Sequence, residues 1–106
     1  MLGAFGAHAL KARLPAEMLA LWSTGVQYHL WHALGMILIG LAAAVVADGM
    51  WLRAAGLLLL VGIVLFSGSL YALALGAPKW LGAVAPLGGA AFILGWLALA
   101  LAAARA

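Results

Sequence analysis

Charge spacing constrains this chain more than any other feature. The formally charged side chains are Lys11, Arg13, Glu17, Asp48, Arg53, Lys79 and Arg105, and they leave three long uncharged stretches. Thirty residues separate Glu17 from Asp48, twenty-five separate Arg53 from Lys79, and twenty-five separate Lys79 from Arg105. A hydrocarbon layer about 30 Å thick is crossed by roughly 20 helical residues. Lipid also forces backbone groups to pair within their own segment, which makes helix the default. The pattern predicts an all-α, integral membrane, up-and-down helical bundle, one domain over residues 1–106. Three full transmembrane helices are expected at about residues 25–46, 54–76 and 81–104, after a short N-terminal helical head at 1–24.

Composition agrees with this reading. The chain is 70% hydrophobic and 7% charged, whereas soluble domains are about half apolar and about a quarter charged. That excludes an ordinary cytosolic enzyme and a disordered tail. The net charge of +3 reflects scarce acids, and its five cations are scattered. They form no basic patch for phosphate backbones, so nucleic acid is excluded as a partner. Cysteine is absent, which removes disulfides, thiolate chemistry and cysteine-type zinc sites.

The connections read as interfacial turns. Ala47-Asp48-Gly49-Met50-Trp51 is expected to join the first two spans through its Asp-Gly pair. Ala77-Pro78-Lys79-Trp80 joins the last two, with Pro78 stopping the second helix. Trp22, Tyr28, Trp31, Trp51 and Trp80 suit the headgroup region. In the head, Pro15 opens a short helix running through Trp22. The head lacks a signal-peptide pattern, because its charges follow its apolar part. Lys11, Arg13 and Lys79 fall on one side and Arg53 and Arg105 on the other, which leans toward a cytoplasmic head.

At about 100° per residue, the first span has two sides. Gly25, His29, His32, Ala33, Met36, Gly40 and Ala43 share one. Leu30, Trp31, Leu34, Ile37, Leu38, Leu41 and Val45 share the other. Large apolar side chains can face lipid, so the small and polar side is expected to meet protein. The third span carries Gly88, Ala91, Gly95, Ala98 and Ala102 at alternating steps of three and four, a small-residue seam. In the second span Gly62, Gly68, Ser69, Ala72 and Gly76 form one small face, with Ser67 and Tyr71 on another. Such seams pack helices within one chain, or join it to a second copy.

Polar side chains converge on one level of the bundle. His29 and His32 lie one turn apart on the inward side, roughly 6–11 Å inside the membrane from the head by helical rise. Ser67, Ser69 and Tyr71 come to about 8–14 Å from the same side. Pro86 reaches a similar level, where it frees a carbonyl, and His8 could fold over this end. Ionisable residues within a span are functional candidates. Three readings stay open. The histidines fix helix register by hydrogen bonding to Ser67, Ser69, Tyr71 and carbonyls; or they form a ligand, lipid-headgroup or proton site; or His8, His29 and His32 hold a metal or haem. No acidic side chain stands near enough to support the metal reading, and no metal or cofactor is assigned. No Ser/His/acid group or carboxylate pair gathers at one level, and no phosphate loop follows a strand, so no catalytic residue is assigned and an enzyme is not expected. Small exporters share the length and hydropathy, yet proton-coupled export normally rests on a carboxylate inside a span, and none lies in these.

Four strings give a family resemblance: Gly3-Ala4-Phe5-Gly6-Ala7-His8, Trp22-Ser23-Thr24-Gly25-Val26-Gln27-Tyr28-His29 with His32-Ala33-Leu34, Leu65-Phe66-Ser67-Gly68-Ser69-Leu70-Tyr71-Ala72-Leu73, and Ala85-Pro86-Leu87-Gly88-Gly89 with Gly95-Trp96. In this order the chain closely resembles the small bacterial membrane proteins of the YgdD/YwdK type, a domain-of-unknown-function family. The resemblance implies a polytopic bacterial inner-membrane protein, usually of four helices, with no established activity, cofactor or substrate. It marks His8, Tyr28, His29, His32, Phe66, Ser67, Gly68, Ser69 and Tyr71 as signature positions. Such proteins usually carry an apolar helix before the Gly-Ala-Phe-Gly-Ala-His string, so most of that helix is expected to be missing here. The expected role is non-enzymatic, through helix packing with lipid, a second copy or another membrane protein. The alternative is a small transporter or a ligand- or metal-binding membrane protein using His8, His29 and His32.

Overall fold

The structure is a computed structural model that describes residues 1–45 and 49–105. Among them every regular element is helical. Helix α1 covers residues 2–10, an α-helical turn Leu2–Phe5 running into a π-helical turn Gly6–Leu10. Helix α2 is Ala16–Ala42. Helix α3 is Gly49–Ala74, with a π-helical turn at Ile63–Ser67. Helix α4 is Lys79–Ala104, opened by a 3₁₀ turn Lys79–Ala83 and regular over Ala85–Ala104.

The expected boundary between head and first span is not there. Pro15, with extended ψ of 156°, stands just before α2, and the helix then runs 27 residues without a break. Ser23-Thr24-Gly25 does not interrupt it. The Thr24 hydroxyl donates to the Ala20 carbonyl at 3.0 Å, a bond made inside a helix. Starting at Ala16 also moves His29 and His32 toward the middle of the helix. Helices α3 and α4, each 26 residues, have the length and hydropathy to cross a membrane. Helix α2 has the length, but Gln27, Tyr28, His29 and His32 lower its hydropathy, and it is not among the two.

Three local expectations change as well. Of the first turn, Ala47 and Asp48 lie outside the described residues, while Gly49, Met50 and Trp51 already belong to α3. Helix α3 is ended by Gly76 before Pro78 acts. Gly76 takes φ +100°, the Ala77 N–H donates to Ala72 O at 2.9 Å and the Gly76 N–H to Leu73 O at 3.1 Å. This is a Schellman cap, which needs a left-handed residue. Gly76 is therefore a terminator with no neighbour within 4 Å, not part of a packing face. Pro86 sits in the first turn of the regular part of α4, where no helical N–H is required, so it frees no interior carbonyl.

Helix α3 is the central element. Its main partner is α4, through the seam Gly88, Ala91, Gly95, Ala98 and Ala102, all buried. Phe92 packs on Gly62, the Phe66 backbone on Gly88, and Leu59 on Gly95, so each glycine lets a neighbour approach where a Cβ would intrude. Ile39, Leu52, Ala55, Leu59, Phe92, Ala98 and Ala102 form one core cluster. Leu10, Trp22 and Ala74 form a second where α1, α2 and α3 meet. The whole measures 48 × 27 × 13 Å, a flat slab with α2, α3 and α4 side by side. Leu30, Trp31, Leu34, Ile37, Leu38, Leu41 and Val45 are all exposed, the arc of α2 expected to face lipid.

Candidate functional site

The π turn organises the polar residues. An i→i+5 turn shifts the phase of a helix, and here the Gly68 N–H reaches back to Ile63 O. Below the shift, α3 presents Ser67 and Tyr71 to α2. Ser67 is fully buried, and its hydroxyl donates to the Gly25 carbonyl at 2.7 Å. Gly25 permits that approach, since a Cβ there would stand 2.9 Å from the Tyr71 ring. Ser69 turns to its own helix, sharing its proton between the carbonyls of Leu65 at 2.5 Å and Phe66 at 2.9 Å. Gly68, expected in the same seam, has only the Ile63 carbonyl near it, at 4.0 Å.

The two span histidines part company. Residues three apart on a helix differ by about 60° in direction, and α2 has a neighbour on each side. His29 faces α3, with Nδ1 3.0 Å from the Tyr71 hydroxyl. The Tyr71 ring in turn packs on Trp22, centroids 4.6 Å apart. The Trp22 Nε1–H donates to the Leu2 carbonyl at 2.9 Å, which ties α1 to α2. Trp22 is 5% exposed, so it anchors the interior where a headgroup position was expected. Gly6 makes room for it, because a Cβ there would meet the indole at 2.5 Å.

His32 faces α4 instead. Its ring stacks on Phe92, centroids 3.6 Å apart at 12°, with Trp96 5.7 Å away. Its Nδ1 lies 2.7 Å from the Tyr28 carbonyl. A carbonyl only accepts, so Nδ1 carries the proton. In the neutral ring Nε2 is left with its lone pair.

His8 is exposed on the π turn of α1. Among the described residues no three His, Cys, Asp or Glu side chains gather to hold a metal ion, so His8, His29 and His32 do not form the metal group considered from sequence. In the seams, Gly25, Gly62, Gly88, Ala91, Gly95 and Ala98 are buried. Gly40 is not: it is exposed with nothing within 4 Å. The buried line of α2 instead follows Gly25, His32, Gly35 and Ile39. Gly35, Trp96 and Phe92 went unassigned to the site by sequence reasoning. Gly35 three residues after His32 was the available signal, since its missing side chain admits the Trp96 ring.

The model of the family described as "Protein of unknown function (DUF423)" matches residues 2–89. The chain belongs to this family. The UPF0382 membrane protein YwdK of Bacillus subtilis is 47% identical over 104 residues, covering 98% of this chain and 85% of the relative. UPF0382 membrane proteins of Staphylococcus epidermidis and Haemophilus influenzae are 46% and 40% identical, covering 94% and 93% of this chain and 80% and 78% of their own. No solved structure matches significantly. Relatives so named, together with two helices fit to span, make this DUF423 chain a membrane protein. Both of its π turns fall inside strings that carry the family resemblance, Gly6–Leu10 and Ile63–Ser67.

Proposed function

We propose that this DUF423 protein is a multi-pass protein of the bacterial cytoplasmic membrane in which α2, α3 and α4 all cross, and that its role is non-enzymatic. It acts through helix contacts with lipid, a second copy or another membrane protein. The supporting observation is how the polar groups around α1, α2 and α3 are used. Ser67, His29, Tyr71 and Trp22 each find a partner on a neighbouring helix, while large apolar side chains cover the outside. A polar group matched in this way fixes register and is not presented to a substrate.

The chain has no cysteine, so single cysteines report topology cleanly. Ala12→Cys and Ala77→Cys should label with an impermeant maleimide from the cytoplasmic side alone, and Ala44→Cys and Ala103→Cys from the opposite side alone. Labelling of Ala12→Cys and Ala44→Cys from the same side would remove α2 as a span. Bound metal in purified protein, lost in His29→Ala/His32→Ala, would overturn the packing role of the histidines.

A further inference from the structure

Tyr28 and His32 stand apart from the other polar residues of the bundle, because each keeps a polar atom without a partner. They line a groove of about 560 Å³ between α2 and α4, floored by Phe66 and walled by Phe92, Trp96 and Gly89. That volume lies within the range of small-molecule sites, about 300–1,000 Å³. His32 is 6% exposed, yet among the described residues its Nε2 is neither hydrogen-bonded nor sealed from the groove. The same holds for the Tyr28 hydroxyl. The walls are flat aromatic surfaces: the rings of Tyr28, His32 and Phe92 lie within 15° of parallel.

Three arguments select the occupant. Both His32 and Phe92 fall near the midpoints of their helices, where hydrocarbon makes an unmatched polar atom costly. The groove offers one acceptor, the Nε2 lone pair, and one donor, the Tyr28 hydroxyl, so a complementary ligand must both donate and accept. An acyl chain does neither. Charge is disfavoured at that depth, and neither acid of the chain, Glu17 nor Asp48, lies in the middle of a helix to offset a cation. A neutral phenolic hydroxyl meets both requirements, and its ring suits the aromatic walls.

We infer that the α2–α4 groove binds a membrane-dissolved aromatic lipid bearing a phenolic hydroxyl, of the quinol type, with the hydroxyl donating to His32 Nε2 and accepting from Tyr28. This rests on the membrane placement of α2 and deepens the lipid-contact reading. The oxidised quinone presents only carbonyl acceptors and leaves Nε2 unmatched, so the reduced form binds more tightly.

The test uses detergent-purified full chain and three probes with one tail: 2-decyl-1,4-benzoquinol, its quinone, and decylbenzene. Calorimetric titration should show saturable one-to-one binding in the order quinol, quinone, decylbenzene. His32→Phe and Tyr28→Phe, each verified as folded by circular dichroism, should weaken quinol binding about 3–10-fold, the worth of one neutral hydrogen bond, and His32→Phe should erase the preference for quinol over quinone. Gly40→Ala, outside the groove, should leave binding unchanged. Equal binding of decylbenzene, indifference to both substitutions, or no saturable binding by the folded wild type overturns the inference. With all three spans confirmed by cysteine labelling, any of these results leaves the membrane reading standing. Failure of the α2 span removes both.

Discussion

Adding one methyl group at Gly88 and at Gly40 should change stability in opposite directions. At Gly88 a Cβ would overlap the Phe66 backbone nitrogen and stand 2.7 Å from Phe66 Cβ and 2.8 Å from Phe66 Cα. Two of these atoms are backbone, so no rotamer change relieves the clash. Carbon contacts are favourable at about 3.5–4.0 Å, so α4 must retreat from α3 by about 1 Å. A gap of that size forfeits about a quarter to a half of each contact's attraction along a seam that also holds Gly62 on Phe92 and Leu59 on Gly95. Overpacking of this kind costs about 1–3 kcal/mol, and the helix preference for Ala over Gly returns about 0.5–1 kcal/mol. Gly88→Ala is therefore expected to destabilise by about 1–2 kcal/mol. At Gly40 nothing lies within 4 Å, so only the propensity term remains and Gly40→Ala should be neutral or stabilising by up to about 1 kcal/mol. Denaturant titration of the detergent-purified variants, followed by circular dichroism, measures both. Equal shifts for the two variants, or a neutral Gly88→Ala, would refute the packing of α4 on α3 described above.

Two further outcomes follow from the α1–α2–α3 junction. A double-mutant cycle of His29→Phe and Tyr71→Phe should return a coupling of about 0.6 kcal/mol, and at most about 1.7; zero coupling would remove the 3.0 Å contact. Trp22→Phe deletes the donor to the Leu2 carbonyl, so amide hydrogen exchange should quicken across residues 2–10 while the Gly25–Ser67 contact region stays protected; unchanged exchange in α1 would show that the indole does not hold it.

What could be read in advance was contrast in size. On α4 the small residues Gly88, Ala91, Gly95, Ala98 and Ala102 stand among leucines, and a helix shows that contrast directly as a face. The lipid-facing arc of α2, from Leu30 to Val45, was legible for the same reason. Gly40 misled because a fixed 100° step places it beside Gly25 and His32, while the neighbouring helices follow Gly35 and Ile39. The π turn left no periodic trace, since its five residues, Ile63 to Ser67, are as apolar as the rest of α3. The separation of His29 from His32 depends on which helix lies on each side of α2. That is a fact of tertiary arrangement, and a spacing of three residues cannot carry it. Trp22 was misplaced because its aromatic body and N–H suit a headgroup as well as they suit a carbonyl on α1.

The irregular turn at Ile63–Ser67 makes chain length there more exacting than in either connection. Deleting a single residue from it would let α3 run on as an ordinary helix, and everything toward Ala74 would swing by about 100°. Ser67 would lose the Gly25 carbonyl, Tyr71 would leave His29 and Trp22, and the anchorage of α1 would go with them. Insertions and deletions are usually absorbed by loops; in this protein the position least able to absorb one sits in the middle of its central helix.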